Sequence, residues 1–190
     1  AFLSWDEALR ADPKDKNALA HIGKALKKMS PARKVDAFVK RAVNRFSDMR
    51  AVNSLVEIAL CDSVPCFKSK AQFGFESNAT LRVEIPGPLS GPVMLLTKAR
   101  GKPAKYGAIH PQFQTASVFA TRAFTRIESV LSADAFRSFD LAALEKNAKD
   151  TGRTLVAEGG GVRISFDGRS GDVRKIEWIS GDKPDSLEIK

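Results

Sequence analysis

Residues 155–179, LVAEGGGVRISFDGRSGDVRKIEWI, decide the fold class because they predict three consecutive β-strands. Apolar residues alternate with polar ones at Val162, Ile164 and Phe166, which is the pattern of a half-buried strand. The polar stretch DGRSGD that follows contains two glycines and is typical of a hairpin turn. We therefore expect a meander of strands at 155–157, 162–166 and 173–179, followed by a polar, frayed tail from residue 180.

The first sixty residues predict helices. Ser30 followed by Pro31 offers an N-cap and a proline at the first helical position, and apolar residues then recur at helical spacing up to Phe46. Ser4 and Glu7 have the spacing of a capping box for an earlier helix. Apolar stripes predict two more helices, at 16–28 and 48–60, so we expect four helices before the first cysteine.

The rest of the chain mixes both kinds of element. Alternation predicts strands at 72–75 and 80–85, a buried strand at 93–97 and, between glycine- and proline-rich turns, a basic loop at 99–107. Helical spacing returns at 114–131 and at 133–149, the second helix capped by Ser132. The predicted fold class is α+β: an N-terminal antiparallel helical module at 1–60, a linker with two cysteines at 61–79, and a small mixed domain with antiparallel strands and two helices at 80–190.

Part of the helical module resembles a known repeat. The sequence ALRADP at 8–13, then NAL at 17–19 and IG at 22–23, is similar to the junction between tetratricopeptide repeats. Ala8 and Ala42 stand one 34-residue repeat apart, whereas Phe46, Ser47 and Glu57 depart from the pattern in the second copy. The resemblance covers roughly residues 4–57, and it implies paired antiparallel helices and a protein-binding role.

Composition describes an ordinary folded protein with an excess of positive charge. The 190 residues carry a formal net charge of +9, with 43% hydrophobic and 28% charged residues, so disorder is not favoured. No apolar run reaches the roughly 18 residues that a transmembrane helix needs, so we expect no transmembrane segment. Residues 111–190 contain 12 basic and 12 acidic residues, and the excess therefore lies before Pro111. A basic surface attracts polyanions, either nucleic acid, anionic lipid or acidic protein.

The segment 85–127 has no acidic residue and is the predicted anion-binding or nucleic-acid-binding site. Its cations are interleaved with aromatic rings that could stack on bases. A solvated loop and an ordinary amphipathic helix are the alternative, since six basic residues in 43 are no more than the chain average. The candidate site residues are Lys98, Arg100, Lys102, Lys105, Tyr106, Arg122 and Arg126.

Cys61 and Cys66 are the only cysteines and form a disulfide candidate, because a turn through Pro65 could bring the two sulfurs together. A bridge predicts an exported protein, and two free thiols predict a cytoplasmic one. A zinc site would need two further ligands, and neither His21 nor His110 stands at a typical ligand spacing. We expect no metal site and no cofactor.

Catalytic residues are not apparent in the sequence. His110 is the only histidine that we consider as an acid or base, and no carboxylate in its segment would orient it. Three consecutive glycines at 159–161 predict a turn or bulge rather than a phosphate loop, because a strand follows them. We expect a non-enzymatic binding protein that uses its helical module for a protein partner. The alternative is a protein that binds RNA or single-stranded nucleic acid through 85–127, helped by basic residues of the helices (Lys24, Lys27, Lys28, Arg33, Lys34, Lys40 and Arg41).

Overall fold

The computed structural model describes residues 2–12, 14–48, 51–61, 67–76, 80–86, 92–99, 105–108, 125–126, 133–180 and 183–189. Three helices come first: α1 (Phe2–Ala11), α2 (Lys16–Lys28) and α3 (Pro31–Asp48). Two short helices, α4 (Ala133–Ser138) and α5 (Leu141–Lys146), lie between the two groups of strands.

All the strands belong to a single antiparallel sheet of ten strands in the described residues. In chain order they are β1 (Ala51–Leu60), β2 (Phe67–Glu76), β3 (Thr80–Pro86), β4 (Pro92–Ala99), β5 (Lys105–Ala108), β6 (Lys149–Asp150), β7 (Thr154–Gly159), β8 (Val162–Asp167), β9 (Val173–Trp178) and β10 (Asp185–Ile189). Their order across the sheet is β5-β4-β3-β2-β1-β10-β9-β8-β7-β6. The sheet thus consists of two meanders joined where β1 pairs with β10, from Val56 opposite Ile189 to Ala59 opposite Ser186.

The helices begin and end where local chemistry satisfies their free backbone groups. The Asp15 carboxylate accepts hydrogen bonds from the backbone N–H groups of Asn17 and Ala18 at the start of α2. The Ser30 hydroxyl accepts from the Arg33 N–H at 3.4 Å, which confirms Ser30 as the N-cap of α3. Ser4 lies inside α1 rather than before it, so the predicted capping box at Ser4 is wrong.

The hydrophobic core lies between the helices and one face of the sheet. In β8 every second residue is buried, namely Val162, Ile164 and Phe166, as the alternation predicted. The Phe166 ring lies 5.6 Å from the ring of Phe38 in α3, centroid to centroid. The same cluster includes Val56 and Ile58 of β1, Phe136 of α4 and Leu144 of α5, all fully buried. A contiguous core therefore joins the N-terminal helices to both strand groups.

The predicted helix at 48–60 is wrong, because residues 51–60 form strand β1. Both periods fit this stretch, since Val52, Leu55 and Val56 suit a helical stripe and Val56 and Ile58 suit alternation around Glu57. Pairing decides between them: β1 is bonded to β2 over ten residue pairs and to β10 on its other side. Tertiary pairing overrides a weak local preference here.

The C-terminal tail was also predicted wrongly. Residues 185–189 form β10, which lies between β1 and β9 rather than fraying. Asp185 and Leu187 are buried.

The predicted helix at 133–149 is interrupted, because Asp140 accepts a hydrogen bond from the Ala143 N–H and so caps a new helix, α5. Asn147 ends α5, and Lys149 already pairs with β7.

Most of the remaining predictions about secondary structure agree with the structure. The α+β class is confirmed. Six predicted strands coincide, in order, with β2, β3, β4, β7, β8 and β9: they are 72–75, 80–85, 93–97, 155–157, 162–166 and 173–179. The range 61–79, predicted as a linker, contains β2. Gly160 and Gly161 link β7 to β8 with φ of 59° and 76°, a turn rather than a phosphate cradle. Most of the predicted helix at 114–131 lies outside the described residues.

None of the helices in the described ranges is both long and apolar enough to cross a membrane.

Candidate anion-binding surface

Four basic residues lie close together in sequence where α2 ends and α3 begins. Lys24, Lys27 and Lys28 occupy the last two turns of α2, and Arg33 lies in the first turn of α3. All four are exposed, and none forms an ion pair with another described residue. We call these four residues the helical basic surface.

The amphipathic character of α2 turns these lysines outward. Ala18, Ile22 and Leu26 recur every four residues and are buried, so they hold one face of α2 against the core. At about 100° per residue, Lys24 and Lys28 fall on the opposite side of the helix. Lys27 and Lys28 also lie in the last turn, where positive charge stabilises the helix dipole. The helix dipole can therefore explain the positions of Lys27 and Lys28, but not those of Lys24 and Arg33.

The charge of this surface is not neutralised locally. Residues 16–35 contain six basic residues and no acidic one. The flanking acids are occupied: Asp12 accepts from the Lys14 N–H, Asp15 caps α2, and Asp36 forms an ion pair with Lys40 at 2.9 Å. Exposed cations without nearby acids produce a positive potential that extends roughly 8 to 10 Å at physiological salt.

The other basic residues of the α3 region are engaged within the fold. Lys34 forms an ion pair with Asp150 in β6, and the Lys34 hydrogen bond is the main cause that lowers the Asp150 pKa. Arg41 is buried, with its Nε 2.6 Å from the Asp6 carboxylate, although the N–H is not aligned for a hydrogen bond. Burial is the main cause that lowers the Arg41 pKa. Of the seven helical cations proposed from the sequence, three therefore pair with carboxylates of the chain and four form the helical basic surface.

An aromatic pair borders the surface on the side of α1. The rings of Trp5 and His21 stack with their centroids 4.3 Å apart and only 4° between their planes. Trp5 is half-buried against the core, while His21 is exposed on α2. The stack holds the imidazole in a fixed orientation one turn before Lys24.

The residues predicted from the segment 85–127 are only partly described. Lys98 lies in β4, and Lys105 and Tyr106 lie in the edge strand β5. The register places Lys105 opposite Thr97 and Tyr106 opposite Leu96. Lys98 therefore lies one residue along β4 from Thr97, the residue opposite Lys105. Arg100, Lys102, Arg122 and His110 lie outside the described residues.

Arg126 is bound inside the molecule. Its Nε donates to the Asp185 carboxylate at 3.1 Å, and its guanidinium lies 4.9 Å from the centre of the Trp178 ring. Asp185 is fully buried and also accepts from the Cys61 N–H at 2.9 Å. Arg126 therefore serves the fold first, as the counterion of a buried carboxylate.

The cysteine at the end of β1 is oxidised. Cys61 is disulfide-bonded. Cys66, the only other cysteine of the sequence, lies outside the described residues. Leu60 and Phe67 form the last pair of the β1–β2 ladder, and Cys61 and Cys66 are their neighbours in the sequence.

The described ranges bring together no set of three or more His, Cys, Asp or Glu side chains that could hold a metal ion. Comparison with known proteins adds no assignment: no protein-family model matches the chain, and no curated protein matches it.

Sequence reasoning ranked one acid-free segment first, and a second acid-free segment, 16–35, has the higher density of basic residues. It weighted 85–127, whose six basic residues in 43 match the average density of the chain. Residues 16–35 hold six basic residues in 20, about twice that density, and their helical periodicity places the buried stripe away from the lysines. Charge density combined with helical phase draws attention to α2, but it does not separate the four residues of the helical basic surface from Lys34, Lys40 and Arg41.

Proposed function

We propose that this chain is a non-enzymatic binding protein, and that the helical basic surface docks an acidic protein partner. The proposal rests on a contrast between two groups of basic residues in α2 and α3. Lys34, Lys40 and Arg41 are paired with carboxylates of the chain itself, whereas Lys24, Lys27, Lys28 and Arg33 are exposed and pair with no carboxylate of the described residues.

Unpaired charges on a rigid scaffold suit recognition of an anion. The α2 helix is held against the core by Ile22 and Leu26, and α3 by Val35 and Phe38, so the basic side chains project from elements of fixed geometry. Complementary charge on a partner accelerates encounter and selects against partners of the same sign. The resemblance of residues 4–57 to a protein-binding helical repeat agrees with this role as far as Asp48, where α3 ends, whereas residues 51–57 belong to β1.

The oxidised cysteine supports a protein rather than a nucleic acid as the partner. Disulfides form and persist mainly in oxidising compartments outside the cytosol, where nucleic acid is not the usual polyanion. A disulfide-bonded Cys61 therefore favours an exported protein whose anionic ligands are carboxylates.

Binding of single-stranded nucleic acid is the second candidate. It is favoured by the position of Tyr106 beside Lys105 on the edge strand β5, next to the strand that carries Lys98. An aromatic residue and two basic residues on neighbouring strands are the residue types that such binding uses. The engagement of Arg126 with Asp185 weakens this candidate, because that charge is already compensated.

A salt titration separates the two candidates. The oxidised chain is titrated into fluorescently labelled polyglutamate and, separately, into a single-stranded oligouridylate, from about 50 to about 200 mM salt. We expect polyglutamate to bind at low salt and to lose affinity as salt rises, and to bind more tightly than the RNA. Tighter binding of the RNA would favour the second candidate, and failure of both ligands at low salt would refute the proposal.

A further inference from the structure

Four exposed side chains form a straight row of hydrogen-bond donors along the outer side of α2. Asn17, His21, Lys24 and Lys28 are exposed, and at about 100° per residue they fall within an arc of about 60°. The centre of the row lies about 130° around the helix from the centre of the buried stripe of Ala18, Ile22 and Leu26. Each member can donate a hydrogen bond from an amide, an imidazole or an ammonium group.

The spacing of the row is that of one helix face. Its members follow one another at intervals of four, three and four residues, so neighbours are separated by about one helical turn and the row spans about 16 Å. A partner helix with carboxylates at the same intervals has the same repeat of about 5.4 Å. An extended peptide repeats its side chains on one face every 6.6 Å or so, and would fall out of step by about 3 Å over three intervals.

Two members of the row make this match selective. Lysine side chains are long and can adapt to several spacings. Asn17 is short, and the His21 ring is held by its stack on Trp5, so these two side chains tolerate less mismatch. The side chains of the row carry no ion pair with other described residues, so a partner carboxylate would not have to displace one.

We propose that the partner presents an acidic helix, which lies along α2 and pairs its carboxylates with the row of Asn17, His21, Lys24 and Lys28. This inference rests on the function proposed above and specifies the shape of the anion that the helical basic surface receives.

Two peptides of equal composition test the inference. Both are alanine-rich helices of about 18 residues with four glutamates. In the first peptide the glutamates stand at positions i, i+4, i+7 and i+11; in the second they are distributed around the helix. Fluorescence anisotropy measures the binding of each labelled peptide to the full chain, and circular dichroism verifies that both peptides have equal helicity.

We expect the patterned peptide to bind about tenfold more tightly than the distributed one. The double charge reversal Lys24→Glu with Lys28→Glu should weaken it about tenfold, and His21→Ala about threefold. The matched control, Lys146→Glu with Lys149→Glu, changes two exposed lysines outside the row and should leave the affinity unchanged.

The outcomes distinguish this inference from the function on which it rests. Equal affinity of the two peptides, with both weakened by the Lys24 and Lys28 reversals, would overturn the acidic helix and leave the proposed function standing. Absence of binding by either peptide and by polyglutamate at low salt would overturn both. Equal weakening by the control reversals would show a response to net charge alone and would also overturn the inference.

Discussion

The buried ion pair between α1 and α3 makes a quantitative prediction about stability. The side chains of Asp6 and Arg41 are 2% and 5% exposed, and the Arg41 Nε lies 2.6 Å from the Asp6 carboxylate. Substituting Asp6→Asn keeps the shape of the side chain but leaves the buried guanidinium without its nearest counterion. Removing one partner of a buried pair costs about 3 to 5 kcal/mol.

The surroundings of Arg41 place the expected loss at the lower end of that range. Arg45 lies 3.5 Å from Asp6 and disfavours the charged form of Arg41, whereas Asp172, which Arg45 contacts at 2.7 Å, favours it. Asp172 therefore compensates part of the lost attraction. We expect Asp6→Asn to reduce the free energy of unfolding by about 3 kcal/mol, out of about 5 to 15 kcal/mol for a typical domain.

Urea denaturation followed by circular dichroism measures this loss, with two variants for comparison. Asp36→Asn breaks the exposed pair with Lys40, whose side chain is 57% exposed, and should cost less than about 0.5 kcal/mol. Asp6→Asn combined with Arg41→Met removes both buried charges and should recover a substantial part of the stability. A cost below about 1 kcal/mol for Asp6→Asn, or no recovery in the double variant, would refute the account of this pair.

Three further predictions concern single positions. Gly171→Ala should destabilise the protein by about 3 kcal/mol, because φ is +73° and a Cβ would lie 2.5 Å from the buried Phe38 ring. Gly152→Ala, at φ +79° in open space, should cost only about 1 kcal/mol. Urea denaturation measures both changes. Backbone N–H groups of Ser170 and Arg169, together with Arg174, lower the pKa of Asp167 to about 2, so the stability that it contributes is complete above about pH 4 and is lost as the pH falls through about 2. Asp167→Asn should therefore lower stability at pH 7 by up to about 2 kcal/mol and flatten the acid dependence of the melting temperature between pH 4 and 2. Arg126→Gln should reduce the melting temperature, because Asp185 is buried, and should leave the affinity for polyglutamate unchanged; a weakened affinity with an unchanged melting temperature would assign Arg126 to the anion site instead.

Local signals predicted those elements whose own residues determine their structure. Neighbouring residues alone predict the N-cap at Ser30, the helical period of α2 and the alternation in β8, and the structure contains all three. The β1 strand could not be predicted in this way, because both periods fit residues 51–60 and pairing with β2 and β10 decides between them.

The polar C-terminal tail illustrates the same limit. Residues 180–190 contain few apolar residues and predict a frayed end, yet Leu187 is buried between neighbours on β1 and β9. Asp185 is buried as well, which a charged side chain tolerates because Arg126, 59 residues away in sequence, pairs with it. Partners so distant in sequence are visible only in three dimensions.

The candidate site was predictable in part. The sequence names Lys24, Lys27, Lys28 and Arg33 among the basic residues of the helices, but it cannot tell them from Lys34, Lys40 and Arg41. Two of the three distinguishing contacts join distant positions, Lys34 to Asp150 and Arg41 to Asp6. The unpaired charge of the surface is therefore a property of the fold rather than of the local sequence.

Removal of equal charge from two places tests the central claim most directly. One variant replaces Lys24, Lys27, Lys28 and Arg33 by glutamine; the other replaces Lys98, Arg100, Lys102 and Lys105. Each loses four positive charges from a formal total of +9. The dissociation constant for labelled polyglutamate at low salt is the measurement. We predict that the first variant loses affinity by about tenfold or more and that the second changes by less than about threefold. Equal losses in the two variants, or a larger loss in the second, would contradict the assignment of anion binding to the helical basic surface.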